Sequence, residues 1–209
     1  HMDVMGPAIS KKLNLPSFFL DHVKYSRTHA TVNSPLAGAE VQYPLLLLSH
    51  GWGGFRAQNT YQVEELASHG YIVAAPDHTY GAVATVFPDG RVAMNNPKAL
   101  PTAMGLSEVE FLTAVQTLGN QWANDLSFIL DTFAQLEPDD PAGQLANRID
   151  FTRVGALGHS TGGGATIQFC AVDIRCKAVL GMDPYMDPVA FRVLDMGIKQ
   201  PYLIIFSDV

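Results

Sequence analysis

Positive charge is scarce in this 209-residue chain: 13 Lys and Arg stand against 20 Asp and Glu, a formal net charge of −7, with no basic cluster. A nucleic-acid surface needs a concentrated positive field to hold phosphates, so that class of partner is excluded. Long apolar runs are lacking too. The four leucines at 45–48 fall far short of the roughly 20 residues of a bilayer span, so the residues given read as soluble, without a transmembrane segment. The only two cysteines, Cys170 and Cys176, are too few for a pair-of-pairs metal site. They are expected to be small buried hydrophobes, a disulfide being the other reading. His1-Met2 reads as a cloning remnant, and nothing after it has the charged, apolar and small-residue regions of a signal peptide. Any native targeting segment is expected to lie outside these residues, and the compartment stays open between secreted and cytoplasmic.

What is present suits an enzyme-like globule. Apolar residues make up 47% and charged ones 16%, enough to bury a core, and the length suits one domain over residues 1–209. The apolar run at 44–48 ends in Ser49-His50-Gly51 and reads as a strand buried on both faces. A helix at 60–68 is stopped by Gly70, and 71–75 is a second buried strand. Strand, helix, strand implies parallel pairing, because a crossover must separate parallel neighbours. Residues 76–101 are polar and irregular apart from a hairpin around Pro88-Asp89-Gly90. Ser107 with Glu110 makes a capping box, and Trp122, Leu126, Ile129, Leu130 and Phe133 recur on one face of the helix that follows, which Pro138 is expected to end. Short strands at 154–157, 177–182 and 201–206, with a small-residue helix at 161–171, complete a mostly parallel, doubly wound sheet flanked by helices.

Gly158-His159-Ser160-Thr161-Gly162 matches G-x-S-x-G, in which a sharp strand-to-helix turn lifts a serine out of the sheet. It follows a strand and opens a helix, as that turn requires, and the helix start adds a positive dipole end. A serine hydroxyl is a weak nucleophile until a base takes its proton and a third group orients that base. His50-Gly51-Trp52-Gly53-Gly54 follows the first strand, where an oxyanion amide belongs, so the backbone N–H groups of Trp52 and Thr161 are the candidate donors.

In order along the chain, residues 43–51, Phe55-Arg56, 66–75, the serine motif and 175–183 resemble the plasma and intracellular type II platelet-activating-factor acetylhydrolases and their bacterial relatives. The resemblance covers roughly residues 43–187. It implies an α/β-hydrolase fold, esters of short acyl groups, and Asp183 as the acid of the triad. Asp208 is the alternative acid, since it follows the next strand, where other α/β-hydrolases keep theirs. Two features depart from the family: Thr161 followed by Gly162-Gly163-Gly164 where it has an aromatic and two glycines, and Trp52 where it has a smaller apolar residue. Both bear on the acyl pocket and both look like cutinase-type polyester hydrolases.

In this fold the triad runs serine, acid, histidine, yet no histidine follows Asp183. His50 and His159 flank the site by motif position and read as packing or hydrogen-bonding residues; His22, His29, His69 and His78 have no motif support. The base is therefore expected outside this chain, which is expected to continue beyond Val209, and a triad without its base keeps only residual catalysis. The expected function is a serine carboxylic ester hydrolase acting on a small-molecule or lipid ester with no metal or organic cofactor. The alternatives are a cutinase-like polyester hydrolase and a non-catalytic binding module of the same fold.

Overall fold

The computed structural model describes residues 2–38, 40–136, 140 and 144–208. In chain order the elements are α1 (Met2–Lys12), a 3-10 segment (Ser17–Tyr25), β1 (Tyr43–Ser49), α2 (Thr60–Ser68), β2 (Ile72–Ala74), β3 (Ala84–Val86), β4 (Val92–Met94), a 3-10 turn (Pro97–Ala99), α3 (Glu108–Leu136), β5 (Ile149–His159), α4 (Thr161–Val172), β6 (Cys176–Met182), α5 (Phe191–Met196) and β7 (Tyr202–Ile205). Pro138, expected to end α3, lies outside the described residues, as do His1 and Val209.

The leucines of β1 seed the main sheet. Leu45 and Leu47 are wholly buried, and β1 pairs in parallel with β2 on one side and β5 on the other. Strands β6 and β7 add on beyond β5, giving the all-parallel order β2-β1-β5-β6-β7. The chain thus moves outward from β1 to β2 and then returns across it to β5. Between β1 and β5 the direction of winding reverses, and in open α/β sheets ligands bind at the carboxyl ends of the strands at that point. Ser49-His50 and His159-Ser160 emerge there.

Helix α3 buries Val115, Leu118, Trp122, Leu126 and Leu130, a single stripe at helical spacing. Helix α4 is buried on every side over Thr161 to Cys170, packed against α3, β1, β5 and β6. An all-round buried helix needs little side-chain bulk where strands press on it, which is the use of its three glycines. The hairpin expected around Pro88-Asp89-Gly90 is β3 paired antiparallel with β4. No helix among the described residues is long and apolar enough to cross a membrane.

Three expectations change. Strand β5 begins five residues before the expected 154–157 span, with Asp150, Thr152 and Arg153 in its first half. The Asp150 carboxylate accepts from the Thr152 amide (2.9 Å) and from Arg153, so polar residues there satisfy one another rather than end the strand. Helix α1 was unread because Gly6 and Pro7 argue against a helix; it forms by packing Met5 and Ala8 on Val83 and Ala84. The cysteines are buried, but they are not separate hydrophobes: Cys170 and Cys176 form a disulfide with Cα atoms 5.1 Å apart, closing the turn from α4 to β6. A loop this short, six residues apart in sequence, restricts the unfolded chain modestly. Replacing both cysteines by alanine is expected to cost about 2 kcal/mol, lowering the melting temperature by roughly 4–8 °C in a thermal circular-dichroism scan. An unchanged melting curve would contradict this.

Candidate active site

Ser160 sits at the turn between β5 and α4 with φ 53° and ψ −123°, a conformation that costs a non-glycine residue about 1–3 kcal/mol. Three hydrogen bonds offset that cost: its N–H donates to Met182 O (3.0 Å), and its carbonyl accepts from Tyr185 N–H (2.9 Å) and Gly164 N–H (3.2 Å). The glycines beside it are required by close approach. A Cβ on Gly158 would overlap the Gly162 carbonyl, and one on Gly162 would overlap the carbonyls of Ser49 and His50. The serine is half-buried, and Thr161, the first helical residue after it, has an amide with no acceptor inside the helix.

The turn after β1 lies against this serine. A Cβ on Gly51 would stand 3.2 Å from Ser160 Cβ and 3.0 Å from His159 Nδ1. Two amides of the turn are committed: Gly53 N–H to Gly81 O (2.7 Å) and Gly54 N–H to Gly51 O (2.9 Å). Among the described residues the Trp52 N–H has no acceptor. Its peptide is fixed from the other end, because Gly51 O also accepts from His50 Nδ1–H (2.7 Å). The Lys12 ammonium, reaching across from α1, donates to Gly53 O (2.9 Å) and Trp52 O (3.5 Å). The Trp52 indole stacks on Trp122 with ring centroids 6.1 Å apart, packed with Leu100, Leu118 and Ala165.

Asp183 follows β6 with φ 43°, and its N–H donates to Ile205 O (2.7 Å). Its Oδ1 accepts from Ser207 N–H (2.6 Å), and that bond, aided by His159 nearby, holds the carboxyl below the usual aspartate value. Because Met182 O holds the Ser160 amide, Asp183 starts one residue from the serine's own partner. Asp208 is exposed after β7, and no hydrogen bond to it is found among the described residues.

No histidine among the described residues is hydrogen-bonded to Ser160 Oγ or to Asp183. His50 and His78 are instead locked into a buried network. His50 Nε2 accepts from His78 N–H (3.1 Å), so both of its nitrogens are engaged. Burial first, and the nearby His78 second, push His50 down to about 3. His78 is wholly buried, with Nδ1 2.8 Å from Asp125 Oδ2, Nε2 2.8 Å from Ser49 Oγ, and its ring stacked on Trp122 at 4.0 Å. Burial lowers its basicity as well, against the pull of Asp125. Neither His78, Asp125 nor Lys12 was singled out from sequence. The signal for His78 was its position just past β2, on the carboxyl edge of the sheet; Lys12 has no comparable signal. No group of three or more His, Cys, Asp or Glu suited to a metal occurs among the described residues.

The chain matches the family model described as platelet-activating factor acetylhydrolase, isoform II, over residues 9–209, which extends the likeness upstream into α1. A platelet-activating factor acetylhydrolase of Canis lupus familiaris is 32% identical over 222 residues, covering 96% of this chain and 48% of that protein. The cutinase est1 of Thermobifida alba is 25% identical over 166 residues, covering 79% and 42%. A solved ferulic acid esterase from Streptomyces cinnamoneus superposes with a TM-score of 0.68 at 31% identity, covering 95% of this chain and 52% of the other. The chain spans less than half the length of the curated relatives it matches. The α/β-hydrolase fold follows from this likeness and from the parallel sheet.

The buried histidines make folding sensitive to pH. His50 titrates near 6.5 when unfolded and near 3 when folded, so between those values only the unfolded state takes up the proton. Its contribution is complete above about 6.5 and is lost as the pH falls, by up to about 1.4 kcal/mol per pH unit. Denaturant unfolding at pH 7, 6 and 5, above the range where carboxylates titrate, should show falling stability; a flat profile would sink this assignment.

Proposed function

The chain belongs to the platelet-activating factor acetylhydrolase isoform II family, and from that membership we propose that it provides the nucleophile, oxyanion site and acid of a serine carboxylic ester hydrolase. The observation that carries the reading is the strained Ser160 turn set against a turn whose Trp52 amide is left without an acceptor. We read the described residues as one unit built around that pair.

Ser160 Oγ attacks the ester carbonyl and its proton passes to a histidine imidazole. The carbonyl oxygen becomes an oxyanion held by the Trp52 and Thr161 amides, groups that matter most in a water-poor site and whose individual loss typically costs about 10²–10³ in rate. The C–O bond to the alcohol breaks, the imidazolium returns the proton to that alcohol, and water then releases the acid from the acyl-serine. Asp183 is the group that orients the imidazole: Ser207 fixes its carboxylate, and it stands one residue past Met182, whose carbonyl holds the Ser160 amide. Asp208 has no such fixed geometry.

The relatives named for acetyl esters, cutin and ferulic esters share ester cleavage and differ in the acid and alcohol, so the reading takes a small-molecule or lipid ester of short acyl length. The second reading, a polyester hydrolase, is favoured by the Gly162-Gly163-Gly164 run and by Trp52 together with the cutinase likeness. Hydrolysis of a polyester film separates the two.

In the complete gene product, Ser160→Ala should abolish labelling by a fluorophosphonate and hydrolysis of p-nitrophenyl acetate. Asp183→Asn should reduce kcat by about 10⁴, with Asp208→Asn near the parent rate. Fluorophosphonate attached to another residue, or an activity that tracks Asp208, would overturn the assignment. A series from acetate to decanoate should favour the short end.

A further inference from the structure

A polar cluster buried beneath the site is one that ester cleavage does not use. Asp125 Oδ2, His78 and Ser49 Oγ form a straight relay, with both ring bonds at 2.8 Å. It has the composition of a catalytic triad, but Ser49 is wholly buried and no substrate reaches it. The Asp125 side chain is 42% exposed and that of His78 not at all. The relay therefore runs inward from the surface of α3.

Its inner end is the turn opposite Ser160. An ionised carboxylate can only accept, so Asp125 fixes the proton of His78 on Nδ1. Nε2 is then an acceptor, and the Ser49 hydroxyl must donate to it. With the ring held this way and stacked on Trp122, the His78 backbone is set. Its N–H donates to His50 Nε2, which leaves the His50 proton on Nδ1 to grip Gly51 O. Its carbonyl accepts from Gly81 N–H (2.9 Å) and Ala82 N–H (2.7 Å), forming the tight turn that offers Gly81 O to Gly53 N–H (2.7 Å). Val83 N–H continues the same grip on Gly54 O (2.8 Å). The peptide bearing the Trp52 N–H is thus flanked on both sides by groups that hang from His78.

We infer that Asp125 is a positioning residue for the oxyanion turn: through its hydrogen bond to the buried His78 it sets the direction of the Trp52 amide in the turn that lies against Ser160. This rests on reading the Trp52 amide as an oxyanion donor. Asp125 touches neither the serine nor the ester; it acts through His78 alone.

The test compares Asp125→Ala with Asp125→Asn in the complete gene product. The site is partly exposed and helical, where alanine is well tolerated, and the asparagine oxygen still accepts from Nδ1–H. Side-chain ¹⁵N spectra of histidine-labelled protein should show His78 protonated on Nδ1 in the parent and in Asp125→Asn, and on Nε2 in Asp125→Ala. Hydrogen-exchange protection of the Gly53 amide should fall at least about tenfold in Asp125→Ala. Hydrolysis of p-nitrophenyl acetate should lose about tenfold in kcat with KM within about twofold, and Asp125→Asn should recover to within about threefold of the parent. Unchanged Gly53 protection and His78 tautomer in Asp125→Ala overturn the inference, as does an Asp125→Asn variant as impaired as Asp125→Ala. A parent protein whose Ser160 is never acylated overturns the esterase reading instead, and the spectra and exchange still decide the relay.

Discussion

The site depends on the contact between the backbone of Gly162 and the carbonyls of Ser49 and His50. Helix α4 can start where it does only because residue 162 has no side chain, and that start draws the ends of β1 and β5 together at the reversal point of the sheet. The consequence is a serine turn and an amide-bearing turn in van der Waals contact, with Gly51 as the second place where bulk is excluded. The backbone strain at Ser160 is sustained by the same arrangement, since its amide is held by the last residue of β6 and its carbonyl by Tyr185 beyond that strand and by α4 itself. Close backbone approach thus comes first, and the chemistry of the side chains is arranged around it.

Beneath that contact the interior is polar where an ordinary core would be apolar. Two imidazoles are packed against Trp122 with the buried Ser49 hydroxyl bonded to one of them and the partly exposed Asp125 to its other side, where an unpaired buried polar group costs about 1–3 kcal/mol. Every ring nitrogen of His50 and His78 has a partner, and burial disfavours the charged form of both rings. Neutrality matters to the geometry: a second proton on His50 would point at the N–H of His78 and break the bond that orients its ring. Lys12 adds an ammonium to the outer side of the same turn, so donors from α1, from His50 just after β1 and from Val83 in the segment after β2 all grip a few consecutive peptides.

What could be read from sequence was what is local. G-x-S-x-G places glycine, serine and helix start within a few residues, and the run of leucines before Ser49 declares a buried strand, so the sheet, the serine turn and its partner turn were legible. The relay was not, because its members are 29 and 47 residues apart and each alone is an ordinary polar residue. Lys12 lies 40 residues from the carbonyl it reaches first, on a helix whose Gly6 and Pro7 speak against it. The cysteines failed for another reason: two thiols at close spacing are equally compatible with separate burial and with a bond, and only the turn from α4 into β6 decides. Strand β5 is longer than the apolar run at 154–157, because its first half carries the polar residues Asp150, Thr152 and Arg153, which bind one another.

Two of the serine and aspartate sets, Ser49 with Asp125 and Ser160 with Asp183, contrast in what makes a reactive site. Ser49 has the imidazole at hydrogen-bond distance and the carboxylate on the far side of that ring, yet it is wholly buried and its hydroxyl is spent as a donor. Ser160 has no imidazole bonded to it among the described residues, yet it is half-buried on a strained turn, lies against the turn that carries the Trp52 amide, and has Asp183 one residue past the partner of its own amide. Hydrogen-bond order alone would select the wrong serine. On the proposed reading, access, backbone strain and the Trp52 amide select Ser160, because a nucleophile must meet a carbonyl and an ester hydrolase must hold the charge that forms. The buried set is better suited to the opposite task of not moving, and stiffness beneath the oxyanion turn is what that task supplies.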